Sequence, residues 1–136
     1  MHKHLIAIVG FGAALAVSSG ASAAEKTMNL SRKAKSGLDS GLAYASRWDR
    51  NCNSQPVTVT ITRQPANGTV SVVDADEVIP ASTPASGSTG ICGGATIKSK
   101  QIMYRSKPGF RGSDTVGYDS KGGGTTIHTT IAVTVE

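Results

Sequence analysis

From Val57 onward the chain alternates apolar and polar residues with a period of two. Val57, Val59 and Ile61 alternate with Thr58, Thr60 and Thr62, the pattern of a half-buried strand rich in β-branched residues. A second strand begins at Thr69 and reaches Val73. Between them stands Gln64-Pro65-Ala66-Asn67-Gly68. Its Asn67-Gly68 pair tolerates positive φ and predicts a hairpin. Asp74-Ala75-Asp76-Glu77 predicts a polar break before Val78-Ile79-Pro80. Ile97 to Arg105 reads as a strand with Ile102 and Tyr104 on one face, and Thr115 to Asp119 as a short strand with Val116 and Tyr118 together. Gly122-Gly123-Gly124 turns the chain. In the last strand Ile127, Thr129, Ile131, Val133 and Val135 share one face, and Thr126, His128, Thr130, Ala132 and Thr134 the other.

The remaining segments lack this regularity. Residues 24–50 are polar and basic, with Lys26, Arg32, Lys33, Lys35, Arg47 and Arg50. Ser31 could cap a helix from Arg32 to Leu38, but Gly37 and Gly41 weaken it. The segment is expected to be a mostly irregular lead-in with a short edge strand. Residues 80–95 are rich in Pro, Ser, Thr and Gly and predict a loop. No segment after residue 23 sustains a period of 3.6. Six or seven strands spaced by roughly ten residues predict an all-β, antiparallel sandwich over 51–136.

Residues 1–23 have the form of an export signal. Met-His-Lys-His is a positive start, Leu5 to Val17 is an apolar run of 13 residues, and Ala21-Ser22-Ala23 is a small-x-small cleavage pattern. The run is short of the roughly 20 residues a membrane-spanning helix needs. It implies a Sec-type leader of Gram-negative style, a periplasmic or secreted protein, and no membrane span after cleavage. In that oxidising setting Cys52 and Cys92 are expected to form a disulfide. There is no Cys-x-x-Cys to suggest a metal or redox pair.

Composition narrows the function. The 136 residues carry 14 Lys+Arg against 9 Asp+Glu. Without Lys3 the net charge is +4. A mildly basic export is drawn to anionic glycans, headgroups or acidic proteins, or the charge simply maintains solubility. The scattered basic residues and the absence of any reader motif argue against nucleic acid. Hydrolase chemistry has no constellation to rest on. His128 is the one histidine beyond the leader, and no Gly-x-Ser-x-Gly surrounds a serine. Gly122-Gly123-Gly124 precedes a strand rather than a helix, so it is no phosphate cradle. No His/Cys set fits zinc.

One motif is distinctive: Tyr104-Arg105-Ser106-Lys107-Pro108-Gly109-Phe110-Arg111-Gly112-Ser113-Asp114-Thr115-Val116-Gly117-Tyr118. Phe110 would plug one end of a sandwich. Gly109 and Gly112 would take backbone angles closed to other residues. Asp114 would accept backbone N–H groups at a corner, and Tyr118 would bury its ring and return its hydroxyl to main chain. The motif resembles the Y-x-P-x-x-G-F-x-G-x-D-x-F-x-Y signature of bacterial immunoglobulin-like, cadherin-like repeats. Gln64 to Val70 is similar to the hairpin that precedes it there, and Ile131 to Val135 to the terminal strand. The likeness spans about residues 56–135. It departs at Val116, where the family has Phe, and at Pro108, which adjoins Gly109. It implies an immunoglobulin-like sandwich in which Tyr104, Pro108, Gly109, Phe110, Gly112, Asp114 and Tyr118 are scaffold. Such modules often bind Ca²⁺, and Asp74, Asp76 and Glu77 are the candidate ligands here. The ion needs six to eight oxygens, so three side chains fall short and no cofactor is expected.

The expectation is therefore a non-catalytic exported module that binds a protein or polysaccharide of the cell envelope or surface. Contact candidates are the 80–95 loop, Trp48, and the basic residues Arg47, Arg50, Arg105 and Arg111. Trp48 would either pack on the disulfide or stack on a sugar ring. A secreted enzyme inhibitor inserting the 80–95 loop is the alternative. Oligomeric state is not readable from these patterns.

Overall fold

Seven strands account for the regular structure: β1 (Ala24–Ala34), β2 (Ser40–Ala45), β3 (Thr58–Arg63), β4 (Gly68–Val78), β5 (Thr96–Ser106), β6 (Gly112–Gly122) and β7 (Thr125–Val135). The computed structural model describes residues 20, 22–81 and 91–136. Nearly all of the expected leader, and positions 82–90 of the expected loop, lie outside the described residues. Among the described residues no helix is long and apolar enough to cross a membrane.

The strands form two sheets, ordered β1-β7-β6-β3 and β2-β5-β4. Their facing sides share one core. Leu42, Ala45, Ile102 and Tyr104 come from the three-stranded sheet. Ala34, Val116, Tyr118, Ile131, Val133 and Val135 come from the four-stranded one. The inward residues of β7 are those its alternation predicts. Burying each large aliphatic of this set contributes roughly 1.5–3 kcal/mol. Val57, Val59, Ile61, Val70 and Phe110 pack around its margin.

Three expectations need correction. First, the lead-in is not irregular. Residues 24–50 supply β1 and β2, so the sandwich begins at Ala24. β1 runs parallel to β7 from Ala24↔Thr125 to Ala34↔Val135, so the fold is not purely antiparallel. β1 is an edge strand, and only Leu30 and Ala34 along it are withdrawn from solvent. It therefore has almost no apolar alternation to read. β2 hides its period differently, through a register shift between Gly41 and Ala43.

Second, Asn67-Gly68 does not close a hairpin. β3 pairs with β6 and β4 with β5, so the chain crosses between sheets at this point. Neither residue has positive φ. Gly68 is required for another reason. A Cβ there would press on the Arg105 carbonyl oxygen and come within 3.0 Å of both Ser106 Cα and Tyr104 Cε2.

Third, Asp74 to Glu77 is no break. β4 continues to Val78, paired residue for residue with β5. Along that ribbon the buried side changes. Ile102, Tyr104 and Ser106 are buried nearer the C-terminal end of β5, and Ile97 and Ser99 nearer its start. Residues of opposite parity face opposite ways. The far half of the ribbon thus gives its other face to a second core of Ile79, Cys92 and Ile97, covered by Trp48, Cys52 and Ala95.

Candidate functional site

The strand directions divide the molecule into two ends. One holds the Cys52–Cys92 disulfide, and the other the Asp114 corner.

At the corner, Asp114 is buried and accepts four hydrogen bonds. Its donors are Ala66 N (2.9 Å), Asn67 N (3.1 Å), Thr115 N (2.9 Å) and the Tyr104 hydroxyl (2.8 Å). Burial alone would push the carboxyl up. The Tyr104 hydroxyl and the three backbone N–H groups outweigh it and hold the group below the usual carboxylate range. The crossover from β3 to β4 is thereby tied to the start of β6. Gly109 (φ 81) and Gly112 (φ 131) adopt the backbone angles that favour glycine. Pro108 packs against Gly37, whose Cβ position lies 3.5 Å from Pro108 Cα. The tyrosine that closes this corner is Tyr104 on β5. Tyr118 is buried opposite Thr129. Burial raises its phenol, while a hydrogen bond with Thr129 and the Arg32 charge oppose the rise.

At the other end, Cys52 and Cys92 are disulfide-bonded with a Cα–Cα distance of 5.5 Å. The arm from Arg47 to Gln55 is organised by Asp49, which sequence reading missed. Asp49 Oδ1 accepts Asn51 N and Asn53 N, both at 2.9 Å, and Oδ2 faces Asn53 Nδ2 and Gln55 Nε2 at 3.3 Å. The Asn53 backbone N–H, more than the other donors, holds its carboxyl below the usual carboxylate range. The turn is tight enough that Cys52 takes φ 63. The spacing Asp49-x-Asn51-x-Asn53, built of turn-forming residues, is the signal that could have marked it. Trp48 covers the second core beside the disulfide, and its Nε1 is buried without a hydrogen-bond partner among the described residues. It packs rather than standing free as a sugar platform.

Between this arm and the β4–β5 ribbon lies an open cleft of about 770 Å³, whose lining includes Pro56, Val57, Asp74, Asp76, Lys98 and Lys100. Asp76 pairs with Lys98 at 2.6 Å, and Asp74 with Lys100. Glu77 has the opposite parity to the two aspartates, so it points to the other side of β4. The three proposed Ca²⁺ ligands therefore do not converge. Two of them carry lysine partners instead. Among the described residues no group of three or more His, Cys, Asp or Glu side chains is placed to hold a metal ion.

The five basic and aromatic contact candidates are split between the ends. Arg47, Trp48 and Arg50 stand at the disulfide end. Arg47 is packed on the β6–β7 turn, where its guanidinium fills the space a side chain on Gly123 would need. Arg50 is exposed. Arg105 and Arg111 stand at the corner end. Arg105 forms a two-pronged pair with Asp39, at 2.8 and 3.0 Å. Arg111 is exposed. His128 projects from the outer face of the four-stranded sheet. Its Nδ1 lies 2.8 Å from Asp119 Oδ1 and its Nε2 3.9 Å from Glu25 Oε1. Only the Nδ1 contact is within hydrogen-bond distance.

The chain matches no protein-family model, no curated protein and no solved structure.

Proposed function

We propose that this protein is a non-catalytic, exported binding module with an immunoglobulin-like sandwich, which engages a protein or polysaccharide of the cell envelope or surface. Three features support the fold assignment. The sheet orders β2-β5-β4 and β7-β6-β3 correspond to the B-E-D and G-F-C sheets of that class. The first strand lies against the last. The motif from Tyr104 to Tyr118 resembles the bacterial cadherin-like signature. Export is supported by the leader pattern of residues 1–23 and by the disulfide.

The observation that carries the binding reading is where the chain commits its reactive groups. Among the described residues Asp114 is held by the corner, Asp49 by its arm, the His128 Nδ1 by Asp119 and both cysteines by each other. What is left to a ligand is surface: the cleft beside the ribbon and the exposed cations at the two ends. Such surfaces can take a ligand.

The test is capture. The full chain is expressed with its own leader and purified oxidised from the export compartment. It is then presented to envelope extract and to purified sacculi at low and high salt. A retained envelope protein or polysaccharide is the expected result. Retention of neither, together with turnover of any substrate by the purified chain, would sink the reading. A single protein held undiminished at high salt would favour the inhibitor alternative.

A further inference from the structure

The charge of this molecule is concentrated at one end. At the corner end stand Arg32, Lys33, Lys35, Arg105, Lys107 and Arg111, against Asp39, Asp114 and Glu136. At the disulfide end Lys26, Arg47, Arg50, Lys98, Lys100 and Lys121 are balanced by Glu25, Asp49, Asp74, Asp76, Glu77 and Asp119. Arg63 lies between the ends, paired with Gly117 at the middle of β6. Of the +4 of the described residues, +3 therefore belongs to the corner and none to the disulfide end.

Local pairing sharpens the contrast. Lys33 is bonded to Glu136 and Arg105 to Asp39. Lys35, Arg63, Lys107 and Arg111 are exposed, and none has an ion-pair partner among the described residues. Lys35 follows β1, Lys107 follows β5 and Arg111 precedes β6. These three come together: Gly37 N donates to the Ser106 hydroxyl (2.9 Å), the Gly37 Cβ position lies 3.5 Å from Pro108 Cα, and Phe110 N donates to Lys107 O (3.1 Å). Arg63 stands further back, at the middle of β6. Exposed charges farther apart than about 8 Å are largely screened at physiological salt, so the field at the corner is that of Lys35, Lys107 and Arg111.

We infer that this corner is a binding site for an acidic polysaccharide, one bearing carboxylate, sulfate or phosphate groups. The inference rests on the binding-module reading above and names its ligand class. One guanidinium fork and two ammonium groups suit separated anionic groups on an extended polymer. A lipid surface fits less well. Leu38 is the exposed large apolar residue here, and Phe110 is packed against the core. An interfacial anchor needs a continuous apolar face.

The experiment uses the oxidised full chain with dextran sulfate and polygalacturonate, neutral dextran as blank, and phosphatidylglycerol vesicles as the rival surface. Two triple variants remove equal charge from exposed sites. One is Lys35→Gln, Lys107→Gln, Arg111→Gln. The other is Lys26→Gln, Arg50→Gln, Lys121→Gln. Melting temperatures establish that both fold. With about three contacts released per bound chain, log K should fall with log salt at a slope of about −2. The corner variant should lose about tenfold or more in affinity at low salt and most of that slope, while the opposite-end variant stays within about twofold. Equal loss in both variants would overturn the inference, since net charge alone would then explain binding. So would retention on vesicles but on neither polymer, or on nothing at all. Capture of an envelope protein alongside failure of both polymers would overturn this inference and leave the module reading standing.

Discussion

The Tyr104 hydroxyl donates to Asp114 Oδ2 at 2.8 Å, joining β5 to β6 across the inside of the sandwich. Both residues are buried. The carboxylate's remaining hydrogen bonds go to backbone N–H groups of the β3–β4 crossover and to Thr115. One side chain thus fixes where the chain passes between sheets. Removing it orphans a buried phenol and three amides. Asp114→Ala should cost about 3 kcal/mol or more, because unsatisfied buried groups lose about 1–3 kcal/mol each. Tyr104→Phe should cost about 2 kcal/mol, the range for a hydrogen bond to a charged acceptor. Urea unfolding measures both. Equal stability of Asp114→Ala and the native chain would remove the corner from the account of the fold.

The same pair predicts the pH limits of stability. Asp114 is held below its ordinary range in the folded chain. Its contribution is therefore present above the unfolded value, about 3.9, and is lost as pH falls through the lower folded value. Tyr104 is shifted the other way, upward, first by burial and then by its bond to Asp114. Its contribution is complete below about pH 10, the unfolded value, and is lost as pH rises beyond it. Stability should thus fall at both extremes. Asp114→Asn should flatten the acid limb and Tyr104→Phe the alkaline limb, as read from denaturation midpoints across pH. An unchanged acid limb in Asp114→Asn would assign that limb to other carboxylates.

Gly68 gives a prediction that the sequence alone would reverse. If it served a positive-φ turn, backbone strain would set the cost of alanine there. Its φ is not positive, and the cost is steric: a Cβ has Ser106 Cα and Tyr104 Cε2 each at 3.0 Å, with the Arg105 carbonyl nearer still. Overpacking typically costs about 1–3 kcal/mol. Gly68→Ala should fall in that range, and Gly68→Ala with Tyr104→Phe should gain no relief, because the obstructing atoms are largely backbone. Calorimetry of the single and double variants decides it.

What was legible in the sequence follows from how many neighbours each strand has. β7 lies between β1 and β6, and its alternation appears without interruption. β1 has one neighbour and a face half in water, so only Leu30 and Ala34 mark it. β2 carries a bulge that breaks its period. The Asp114 corner could be anticipated because its glycines and aspartate have single physical purposes. Its tyrosine was misassigned because Tyr104 and Tyr118 both lie at inward positions of adjacent motif strands, and only the packing distinguishes them. The cleft was not readable, since its lysines and aspartates are ordinary surface residues until the β4–β5 register brings them opposite one another. The concentration of charge at the corner was equally hidden, because its cations are distributed from Arg32 to Arg111 along the chain.

The disulfide spans 40 residues of sequence and joins the Asp49 arm to the segment that leads into β5. Chain-entropy bookkeeping for a loop of that size gives about 4 kcal/mol of stabilisation, within the usual range for native disulfides. Reduction should lower the melting temperature while far-UV dichroism at low temperature remains that of β structure. The main core contains neither cysteine. The second core contains both, so the fluorescence of Trp48 should report the loss first. Simultaneous loss of strand signal and Trp48 signal at low temperature would mean that the two cores are not separable.

The paired charges of the cleft make a final, opposite kind of prediction. Asp76 and Lys98 are both mostly exposed, as is Asp74 opposite Lys100. Exposed pairs of this kind add little to stability and are screened by salt. Their position has a different physical effect. β4 is one of the two edges of its sheet, and charged side chains on an edge discourage a second strand from adding to it. Asp74→Asn with Asp76→Asn should leave the melting temperature close to that of the native chain. The same variant should raise the tendency to self-associate, because the edge then offers a longer uncharged strand. Calcium should leave the melting temperature of the native chain unchanged, since Glu77 is turned away from the two aspartates and each of those already faces a lysine. Sedimentation velocity on the variant and calorimetry with and without Ca²⁺ test both statements. A calcium-dependent rise in melting temperature that the double variant abolishes would show that the lysines yield to the ion, and would restore the aspartates as its ligands.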